Sequence, residues 1–551
     1  MDPKLRKSLG RYDTPRPIAQ AMSNWAIRSS TDRVLEPSVG GGSIVRSIAS
    51  RLEDLGATST ENQIYGCDVD PAALQETTKY CAPYKFQLSE TDFLAATVSS
   101  MGGEAFDAIV ANPPYTRLHE MAEEVRTSAR NGIIPKKIID KRSSLWAYFT
   151  LHAFSFIKNG GRMALLLPES ILHVQYGKQI LEWISKHCNR CIAISIRERC
   201  FVNDGAQARV VGVLIDDICS EKQKRTSIEL IECTTATEFI SMINSIEAKP
   251  NRQYPTINGH TVPYLIDNAA SAIERMDKCP DLKKLKDYAV VRIGVVTGNN
   301  EFFVLNGHQK KASKLSKRHF KRIVARFSDL DPFLEFDKID DADALDIKSW
   351  LLCANPSSID KHLADYLSTY GEDLIKDNKT FSKRSYWAAP TLGEIPDAFL
   401  RYMGKKGTRL VLNNAGYYCT NSIHCVFFNK KVTLSLSRAI CLAFYSSYCQ
   451  LSSEFEGRQY GSGVLKLEPS EALELQFPMN HNLQRALNRS WSKISEAYDA
   501  HGADRVRDYV DSLVEKHCPK LVSRISLKKT KSLLDAATFR RCGKKEFSDT
   551  I

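Results

Sequence analysis

The fold and the chemistry of this chain are indicated most clearly by ten residues, Phe106-Asp107-Ala108-Ile109-Val110-Ala111-Asn112-Pro113-Pro114-Tyr115. The apolar residues predict a buried strand, and the two prolines predict a stiff turn after it, because a proline ring fixes φ. The turn offers two acceptors, the Pro113 main-chain carbonyl and the Asn112 side-chain carbonyl. Two acceptors on a rigid turn can bind both hydrogens of a planar amine, and Tyr115 supplies a ring on which a base can stack.

Strand-like and helix-like segments alternate on both sides of this stretch, over the first 220 residues. The predicted strands are Arg33–Leu35, Gln63–Cys67, Phe106–Val110, Arg162–Leu167, Ile192–Ile196 and Val210–Ile215. The predicted helices between them include Gly42–Leu55, Pro71–Tyr80, Trp146–Ile157 and Gly177–His187. This alternation predicts an α/β fold with a doubly wound, mostly parallel sheet and helices on both faces. Ligands of such sheets bind beyond the carboxyl ends of the strands.

A glycine-rich turn follows the first predicted strand, in Val34-Leu35-Glu36-Pro37-Ser38-Val39-Gly40-Gly41-Gly42. Glycine lets a backbone approach a ligand closely. The pattern is not the dinucleotide fingerprint, and no Gly-Lys-Ser/Thr follows as in a P-loop. Glu36 would disfavour a phosphate and favour a ligand with an ammonium group. A tight turn with only a structural role explains this motif, taken alone, equally well.

Acidic motifs also follow the next two strand regions. In Gly66-Cys67-Asp68-Val69-Asp70-Pro71, the Asp68 carboxylate can accept the hydroxyls of a ribose. Asp70 is expected instead to cap the helix that begins at Pro71. In Thr91-Asp92-Phe93, the carboxylate can bind an adenine amino group while Phe93 covers the ring.

Taken in chain order, from the glycine-rich turn to the Asn-Pro-Pro-Tyr turn, these four motifs resemble those of S-adenosylmethionine-dependent amino-methyltransferases that act on DNA. The resemblance is to the γ class of adenine-N6 DNA methyltransferases of restriction–modification systems, in which an extra motif precedes the glycine-rich one. Here that motif is Gly10-Arg11-Tyr12-Asp13-Thr14-Pro15, followed by a predicted helix from Pro17 to Ala26. The resemblance implies a Rossmann-like methyltransferase domain followed by an α+β DNA-recognition domain.

The resemblance also implies the site residues. S-adenosylmethionine is the implied cofactor, bound at its methionine end by Thr14, Glu36, Ser38 and Gly40, at its ribose by Asp68 and at its adenine by Asp92 and Phe93. The target base would be held by Asn112, Pro113, Pro114 and Tyr115, with Phe201 on its other face. An ordinary core aromatic is an equally good interpretation of Phe201. No metal is implied.

The implied function is methylation of the N6 amino group of a flipped adenine in double-stranded DNA. The modification would protect the site from a partner restriction endonuclease, encoded separately because only nine residues precede Gly10. The Asn-Pro-Pro-Tyr turn leaves alternatives open, since methylases of cytosine N4, of RNA and of a protein glutamine also need to bind a planar NH₂. A non-catalytic DNA-specificity component is a further alternative, although it would not need Asn112 or Asp68.

Charge divides the 551-residue chain unevenly. Residues 1–220 contain 26 basic and 24 acidic residues, whereas residues 221–551 contain 50 and 40, so the second part has most of the net charge of +12. This excess indicates a polyanionic partner or a solvated basic surface. The proline-rich stretch Lys249–Ile266 predicts a linker between a catalytic domain (1–248) and a basic target-recognition domain (267–551). The latter is expected to have helices over Asn482–His517 and a basic tail.

Four smaller basic segments are also candidates for contact with a polyanion. Arg126–Arg142 and Lys383–Trp387 are candidates for DNA contact, and Ser526–Lys531 and Arg540–Lys545 for a mobile tail or a contact with a polyanion. In the second half, Gly294–Asn300, Asn413–Gly416 and Tyr460–Pro469 resemble the recognition domains of the family.

The composition points to a cytoplasmic protein, since no apolar run approaches the length of a membrane span or signal peptide. The 15 cysteines are scattered and are expected as free thiols. Cys188 and Cys191 form a lone CxxC, which predicts two thiols at a helix–strand junction because a zinc site would need a second pair nearby.

Overall fold

The computed structural model describes residues 13–116, 139, 143–172, 174–198, 209–219, 228–246, 269–330, 334–337, 346–459 and 463–542. The chain divides into two compact units, Met1–Leu265 and Ile266–Ile551. No helix within the described ranges is long and apolar enough to cross a lipid bilayer.

The first unit alternates strands with helices. Its strands are β1 (Val34–Glu36), β2 (Ile64–Asp68), β3 (Gln87–Glu90), β4 (Phe106–Ala111), β5 (Ile157–Pro168), β6 (Cys188–Ile196), β7 (Val210–Ile218) and β8 (Ile228–Cys233). Its described helices are α1 (Arg16–Ala26), α2 (Ser43–Asp54), α3 (Pro71–Tyr80), α4 (Leu145–Ala153), α5 (Gln175–Ile184) and α6 (Ala236–Ser245).

The strands form one sheet in the order β3-β2-β1-β4-β5-β7-β6-β8. Strands β3, β2, β1, β4 and β5 are parallel to one another, β7 is antiparallel to both β5 and β6, and β8 is parallel to β6. Two separate hydrophobic clusters cover the sheet, one including α4 and α5 and the other including α1, α2 and α6. The predicted doubly wound α/β sheet with helices on both faces is confirmed.

One predicted boundary is wrong. The apolar run after Trp146 predicts a helix to Ile157, whereas α4 ends at Ala153 and Ile157 begins β5. The main-chain amide of Phe106 donates to the Phe156 carbonyl, and Ile157 pairs with Phe106 in the sheet. Ile157 therefore begins the half-buried first part of β5, and an apolar run that crosses from a helix into a strand gives no sign of the boundary.

The second unit has several small sheets and more helix. Its strands are β9 (Leu282–Lys284), β10 (Ala289–Ile293), β11 (Val304–Leu305), β12 (Phe320–Val324), β13 (Glu335–Phe336), β14 (Trp350–Leu352), β15 (Ala398–Arg401), β16 (Met403–Gly404), β17 (Leu410–Asn413), β18 (Tyr418–Cys419), β19 (Ile423–Phe428), β20 (Arg458–Gln459), β21 (Leu465–Lys466) and β22 (Gln476–Pro478). Its largest described sheet has the order β10-β19-β15-β17-β13.

The described helices of the second unit are α7 (Ala269–Asp277), α8 (Asn300–Phe303), α9 (Gly307–Ala312), α10 (Lys361–Ser368), α11 (Glu372–Asp377), α12 (Leu434–Ala443), α13 (Ser447–Glu456), α14 (Pro469–Glu474), α15 (His481–Arg489), α16 (Trp491–His517), α17 (Pro519–Arg524) and α18 (Leu527–Cys542). Helix α16 is interrupted at Gly502, whose φ of 73° lies in the left-handed region. The α+β class predicted for the second unit is confirmed.

The expectation that Arg540 and Arg541 belong to a basic tail is wrong. Both lie in α18 and are buried. The Arg541 guanidinium pairs with Glu454 of α13 at 2.7 Å, and both side chains are almost completely shielded from solvent. Charge in the sequence predicts solvent exposure only when no buried counter-charge is available, and α13 supplies one. Residues 543–545 lie outside the described ranges.

We expect Glu454→Gln to destabilise the packing of α18 on α13 by about 3–5 kcal/mol, because it leaves the Arg541 charge buried without a counter-charge. Hydrogen exchange of the amides in α13 and α18 measures the change. Glu496→Gln, at an exposed position, is the control. Equal protection in the wild type and in Glu454→Gln would show that the ion pair does not stabilise this helix contact.

Candidate functional site

A cleft opens at the carboxyl ends of β1, β2 and β4. The predicted site residues that line it are Thr14, Glu36, Ser38, Gly40, Asp68, Asp92, Phe93, Asn112 and Pro114. They come from segments separated by up to a hundred residues, and the parallel strands bring them to one edge of the sheet. The structure thus places the four sequence motifs and the segment ahead of them around one cavity.

The glycine-rich turn is held by two carboxylates through its main-chain amides. The Gly40 amide donates to Asp68 Oδ2 at 3.0 Å, and the Gly41 amide donates to Asp13 Oδ1 at 3.1 Å. A Cβ at position 41 would lie 2.7 Å from Asp13 Oδ1, so a larger residue there would displace the Asp13 carboxylate. Asp68 also accepts the Asp70 amide, through Oδ1 at 3.0 Å. These bonds fix the shape of the turn.

Glu36 is the most unusual group in the cleft. It follows a fully buried strand segment and is itself 1% exposed. Within the described part of the chain, its Oε2 atom has no hydrogen-bond partner. Burial raises the pKa of the Glu36 carboxyl well above its usual value, the neighbouring Asp68 and Asp13 charges raise it further, and a hydrogen bond with the Val45 main chain lowers it in part. A buried acid in this state is stabilised either by a proton or by a cationic ligand group.

Thr14 connects the segment before α1 to both the glycine-rich turn and the Asn-Pro-Pro-Tyr turn. The Ser43 hydroxyl donates to the Thr14 carbonyl at 2.7 Å, and Asn112 Nδ2 donates to Thr14 Oγ1 at 3.1 Å. The Ser38 hydroxyl makes a longer bond, of 3.4 Å, to the Asn112 carbonyl. Thr14 is buried, so this contact with the Asn112 amide is shielded from water.

The rest of the Asn-Pro-Pro-Tyr turn lies partly in the core. Pro113 is buried and does not line the cleft, whereas Pro114 does. The Tyr115 hydroxyl donates to the Leu166 carbonyl of β5 at 3.1 Å, and its ring packs partly against both hydrophobic clusters of the sheet. Tyr115 is therefore held in a fixed orientation with part of its surface exposed.

Phe93 and Asp92 also line the cleft. Phe93 is buried, and its ring centroid lies 5.0–5.2 Å from those of Phe149, His152 and Phe156. Asp92 caps a short 3₁₀ turn by accepting the Leu94 amide at 3.0 Å. Asp70 caps α3 by accepting the Ala72 amide, as the sequence predicted.

Some of the predicted contact residues lie outside the described ranges, and one predicted DNA-contact loop is partly buried. Phe201 and, apart from Ile139, all of Arg126–Arg142 lie outside the described residues. In Lys383–Trp387, Lys383 is exposed, but Arg384 donates to the Trp387 carbonyl at 2.8 Å. The Trp387 ring packs in an aromatic cluster, so Arg384 and Trp387 help to form the core as well as the surface of this loop.

The two thiols of the CxxC motif are buried in the first unit, at the start of β6, as expected for free cysteines. Burial raises the pKa of Cys188 to about 12. Across the described residues, no group of three or more His, Cys, Asp or Glu side chains is arranged to hold a metal ion.

Sequence reasoning assigned no role to Asp13, Gly41 or Ser43, which the structure places in the cleft. One feature of the sequence indicates a role for Asp13, namely its position directly before Thr14 in the motif ahead of α1. Gly41 lies in the glycine-rich turn and Ser43 directly follows it, and their roles depend on the close approach of a second segment that sequence spacing does not reveal.

Known families match the two parts of the chain separately. The family described as N-6 DNA Methylase matches residues 3–250, and the family described as "Type II methyltransferase M.Eco57I, C-terminal domain" matches residues 259–514. The chain is 23% identical to the Type II methyltransferase M.AccI of Acinetobacter calcoaceticus over 483 residues, which is 85% of this chain and 84% of the relative.

Two further comparisons extend over most of the chain. The Type II methyltransferase M.XamI of Xanthomonas campestris pv. amaranthicola is 20% identical over 503 residues, 86% of each chain. A cryoEM structure of a DrdV–DNA complex has a TM-score of 0.53 and 11% identity, and the match covers 91% of this chain and 58% of that one. This structural similarity concerns the fold.

We expect Glu36→Gln to raise the melting temperature of the ligand-free protein at pH 7–8, because it removes a buried negative charge. The raised pKa of Glu36 means that its native state binds a proton more tightly than the unfolded state does. Glu36 therefore costs stability as the pH rises above the unfolded value near 4.5, and the advantage of glutamine should vanish below that pH.

Melting curves of the wild type, Glu36→Gln and the exposed control Glu61→Gln between pH 4 and pH 8 measure this difference. A Glu36→Gln protein that is less stable than the wild type at pH 8 would contradict the interpretation that the buried Glu36 charge costs stability.

Proposed function

We propose that the chain acts as a site-specific adenine DNA methyltransferase of a restriction–modification system. Residues 3–250 belong to the N-6 DNA Methylase family, and residues 259–514 belong to the family of the M.Eco57I C-terminal domain. The observation that supports the site assignment most strongly is the cleft in which Glu36 and Asn112 meet. The Glu36 carboxylate is suited to a cationic ligand group, and the Asn112 side-chain carbonyl is suited to a planar amine.

We propose that the cleft binds S-adenosylmethionine. Its ammonium group would lie at the buried Glu36 carboxylate, whose Oε2 lacks a protein partner among the described residues. The ribose hydroxyls would bind Asp68, and the adenine would lie between Asp92 and Phe93, while Thr14, Ser38 and Gly40 would surround the methionine end. The bound cofactor supplies an electrophilic methyl group. The chemistry of these donors fits such a ligand, since the cleft joins acidic ends to an apolar wall.

The target amine is proposed to bind at the Asn-Pro-Pro-Tyr turn. Thr14 Oγ1 accepts one amide hydrogen of Asn112, which helps to orient the amide so that its carbonyl can accept from the adenine N6 group. The Pro113 carbonyl would accept the second hydrogen. Two acceptors draw the amine nitrogen towards tetrahedral geometry and localise its lone pair. The rigid turn would then position the nitrogen to take the methyl group from the cofactor, with S-adenosylhomocysteine and the proton lost from nitrogen as the other products. This positioning would be the main catalytic contribution of the protein.

An adenine inside a duplex cannot reach this turn, so the target nucleotide must rotate out of the stack at a cost of a few kcal/mol. Stacking on the Tyr115 ring would return about 1–3 kcal/mol of this. Tyr115 is suited to the role because its hydroxyl is fixed to the Leu166 carbonyl, so the ring loses little freedom when a base binds. Phe201 is proposed to cover the other face of the base.

The second unit is proposed to recognise the DNA target. Residues 221–551 have the larger part of the positive charge, which favours contact with phosphates. The first unit would then be the catalytic domain, and the stretch 249–266 the linker between them. Double-stranded DNA is the proposed substrate, and a restriction endonuclease that cleaves the same site is the proposed functional partner.

The direct test is to incubate the protein with S-adenosylmethionine and unmethylated plasmid DNA and to identify the nucleosides by mass spectrometry. N6-methyladenine is expected. N4-methylcytosine would keep the site and change the base. The absence of any methylated nucleoside from several DNA sources would refute the proposed substrate.

We expect Asn112→Ala to lower the rate of methyl transfer by about 10²–10³-fold or more, comparable to the loss of one positioned polar group in other active sites. Binding of S-adenosylmethionine and of DNA should change little, because Asn112 is proposed to hold only the target amine. Asn62→Ala, at an exposed position of the same unit, is the control. Near-normal turnover by Asn112→Ala would refute the catalytic assignment.

We expect Glu36→Gln to weaken binding of S-adenosylmethionine and S-adenosylhomocysteine about tenfold or more, because a charge-assisted hydrogen bond to their ammonium group is lost. Binding of 5′-methylthioadenosine, which has no amino-acid part, should stay within about twofold. Calorimetry with the three ligands measures this contrast. Equal weakening of all three would place Glu36 elsewhere in the cofactor site.

A further inference from the structure

The second unit contains a basic segment, residues 306–322, that the proposed methyl-transfer mechanism does not use. It has seven lysine and arginine residues and no aspartate or glutamate. The segment runs through helix α9, a 3₁₀ turn at Lys317–His319 and strand β12. Most of its cationic side chains are exposed, namely Lys311, Lys314, Lys317, Arg318 and Lys321. Arg318 pairs with Asp360 at 2.8 Å.

The exposed lysines of the basic segment differ from other cations of the second unit, which are paired with carboxylates. Arg438, for example, pairs with Glu335 at 2.7 Å, and Arg458 pairs with Glu471 at 2.6 Å. Among the described residues, by contrast, no ion pair is formed by Lys311, Lys314, Lys317 or Lys321. Exposed cations without a counter-charge in the protein are available to an external anion.

The Lys310 side chain connects helix α9 to strand β12. Its Nζ lies 3.3 Å from the centroid of the Trp350 ring and 5.6 Å from that of the Phe320 ring. Trp350 belongs to β14, where it pairs with Arg322 of β12, and the Arg322 guanidinium carbon lies 4.3 Å from the centroid of the same ring. The two ends of the basic segment therefore meet at Trp350, which gathers their cations on one part of the unit.

This gathering of like charges has an electrostatic cost. Burial lowers the pKa of the Lys310 ammonium group, and the charges of Lys317 and Arg322 lower it further. A lowered pKa means that the charged form of the lysine is disfavoured at this place. A polyanion bound at the segment would oppose the effect, because negative charges stabilise the ammonium form.

Further cations lie beside the basic segment. Burial raises the pKa of the Cys353 thiol to about 11, and the charges of Lys321 and Arg384 lower it in part. Both cations therefore lie near this thiol, which directly follows β14. Lys383, next to Arg384, is exposed. The basic surface thus continues from β12 towards the loop 383–387, which the sequence indicated as a candidate for DNA contact.

We propose that the basic segment 306–322, together with Lys383, contacts the phosphate backbone of duplex DNA without reading the base sequence. Duplex DNA presents one negative charge about every 1.7 Å along its axis, so several lysines can contact phosphates at once. Lysine ammonium groups are point charges on flexible stems and bind phosphate without imposing a fixed geometry. The proposal rests on the proposed role of the second unit in DNA binding and assigns the surface that makes the contact.

The triple variant Lys311→Gln, Lys317→Gln, Lys321→Gln of the full-length protein tests the contact. All three positions are exposed, so the variant is expected to fold. Binding of a short labelled duplex is measured by fluorescence anisotropy over a range of salt concentrations. We expect binding about tenfold weaker or more at about 100 mM salt, and a slope of log Kd against log salt concentration that is smaller by about two to three.

The matched control is the triple variant Lys493→Gln, Lys516→Gln, Lys520→Gln. It replaces three exposed lysines of α16 and α17 and lowers the net charge by the same amount. Its affinity for the duplex is expected to stay within about twofold of the wild type, with the same salt slope. Equal weakening by the two triple variants would show a general effect of net charge and would overturn the proposed surface.

Selection from a pool of random duplexes tests whether the segment reads bases. The wild type and the triple variant of the basic segment should retain the same preferred sequence, because loss of phosphate contacts weakens binding uniformly across sequences. A preferred sequence that changes in the variant would show that the segment contacts base edges, and this result would overturn the proposal.

The binding measurements separate failure of this proposal from failure of the proposed function. A wild type that binds duplex DNA through the basic segment but forms no methylated nucleoside would contradict the methyl-transfer assignment and support this surface. A wild type that methylates DNA, with a basic-segment variant that binds DNA as tightly as the control variant, would overturn this surface and leave the methyl-transfer assignment in place.

Discussion

A carboxylate removed from water is unstable unless a proton or a cation accompanies it, and Glu36 imposes this constraint on the centre of the first unit. The residue lies at the end of β1, which pairs with β2 and β4, and its side chain is buried. Asp68 and Asp13 add negative charge rather than relieve it. The negative charge at this end of the sheet is therefore least stable when the cleft contains no cation. This is the electrostatic arrangement expected of a site for a cationic ligand.

The same edge is rigid because polar groups of distant segments satisfy one another. Asp68 and Asp13 accept the amides of the glycine-rich turn, and Thr14 contacts both Ser43 and Asn112. A shift of the segment before α1 would therefore disturb the turn and the Asn112 amide together. Such coupling explains why a motif lying before the first strand belongs to a site formed at the ends of β1 and β4. Pre-organisation of this kind reduces the reorganisation needed during reaction.

Much of the first unit could be predicted from sequence because its information is local. Strands buried on both faces are apolar, the acid or amide follows directly, and a parallel sheet brings these ends together without any knowledge of register. The Tyr115 contact with Leu166 and the Asp13 contact with Gly41 depend on register and close approach, which no spacing reveals. The boundary at Ile157 failed for a related reason, because apolar runs in a core fit a helix or a strand equally well.

The second unit shows why net charge locates a function poorly. The excess of cations in residues 221–551 predicted a polyanionic partner, yet Arg541 is neutralised by Glu454 inside the core, and Arg401 and Arg409 lie in a concave cavity. These arginines contribute to the count without contributing to an outer basic surface. Exposed cations such as Lys383 and Lys406 contribute to the electrostatic field outside the second unit, whereas a buried, paired arginine such as Arg541 contributes little. Buried arginines and exposed cations add equally to the net charge of the sequence. Only the packing of the structure, such as that of α18 on α13, distinguishes the two.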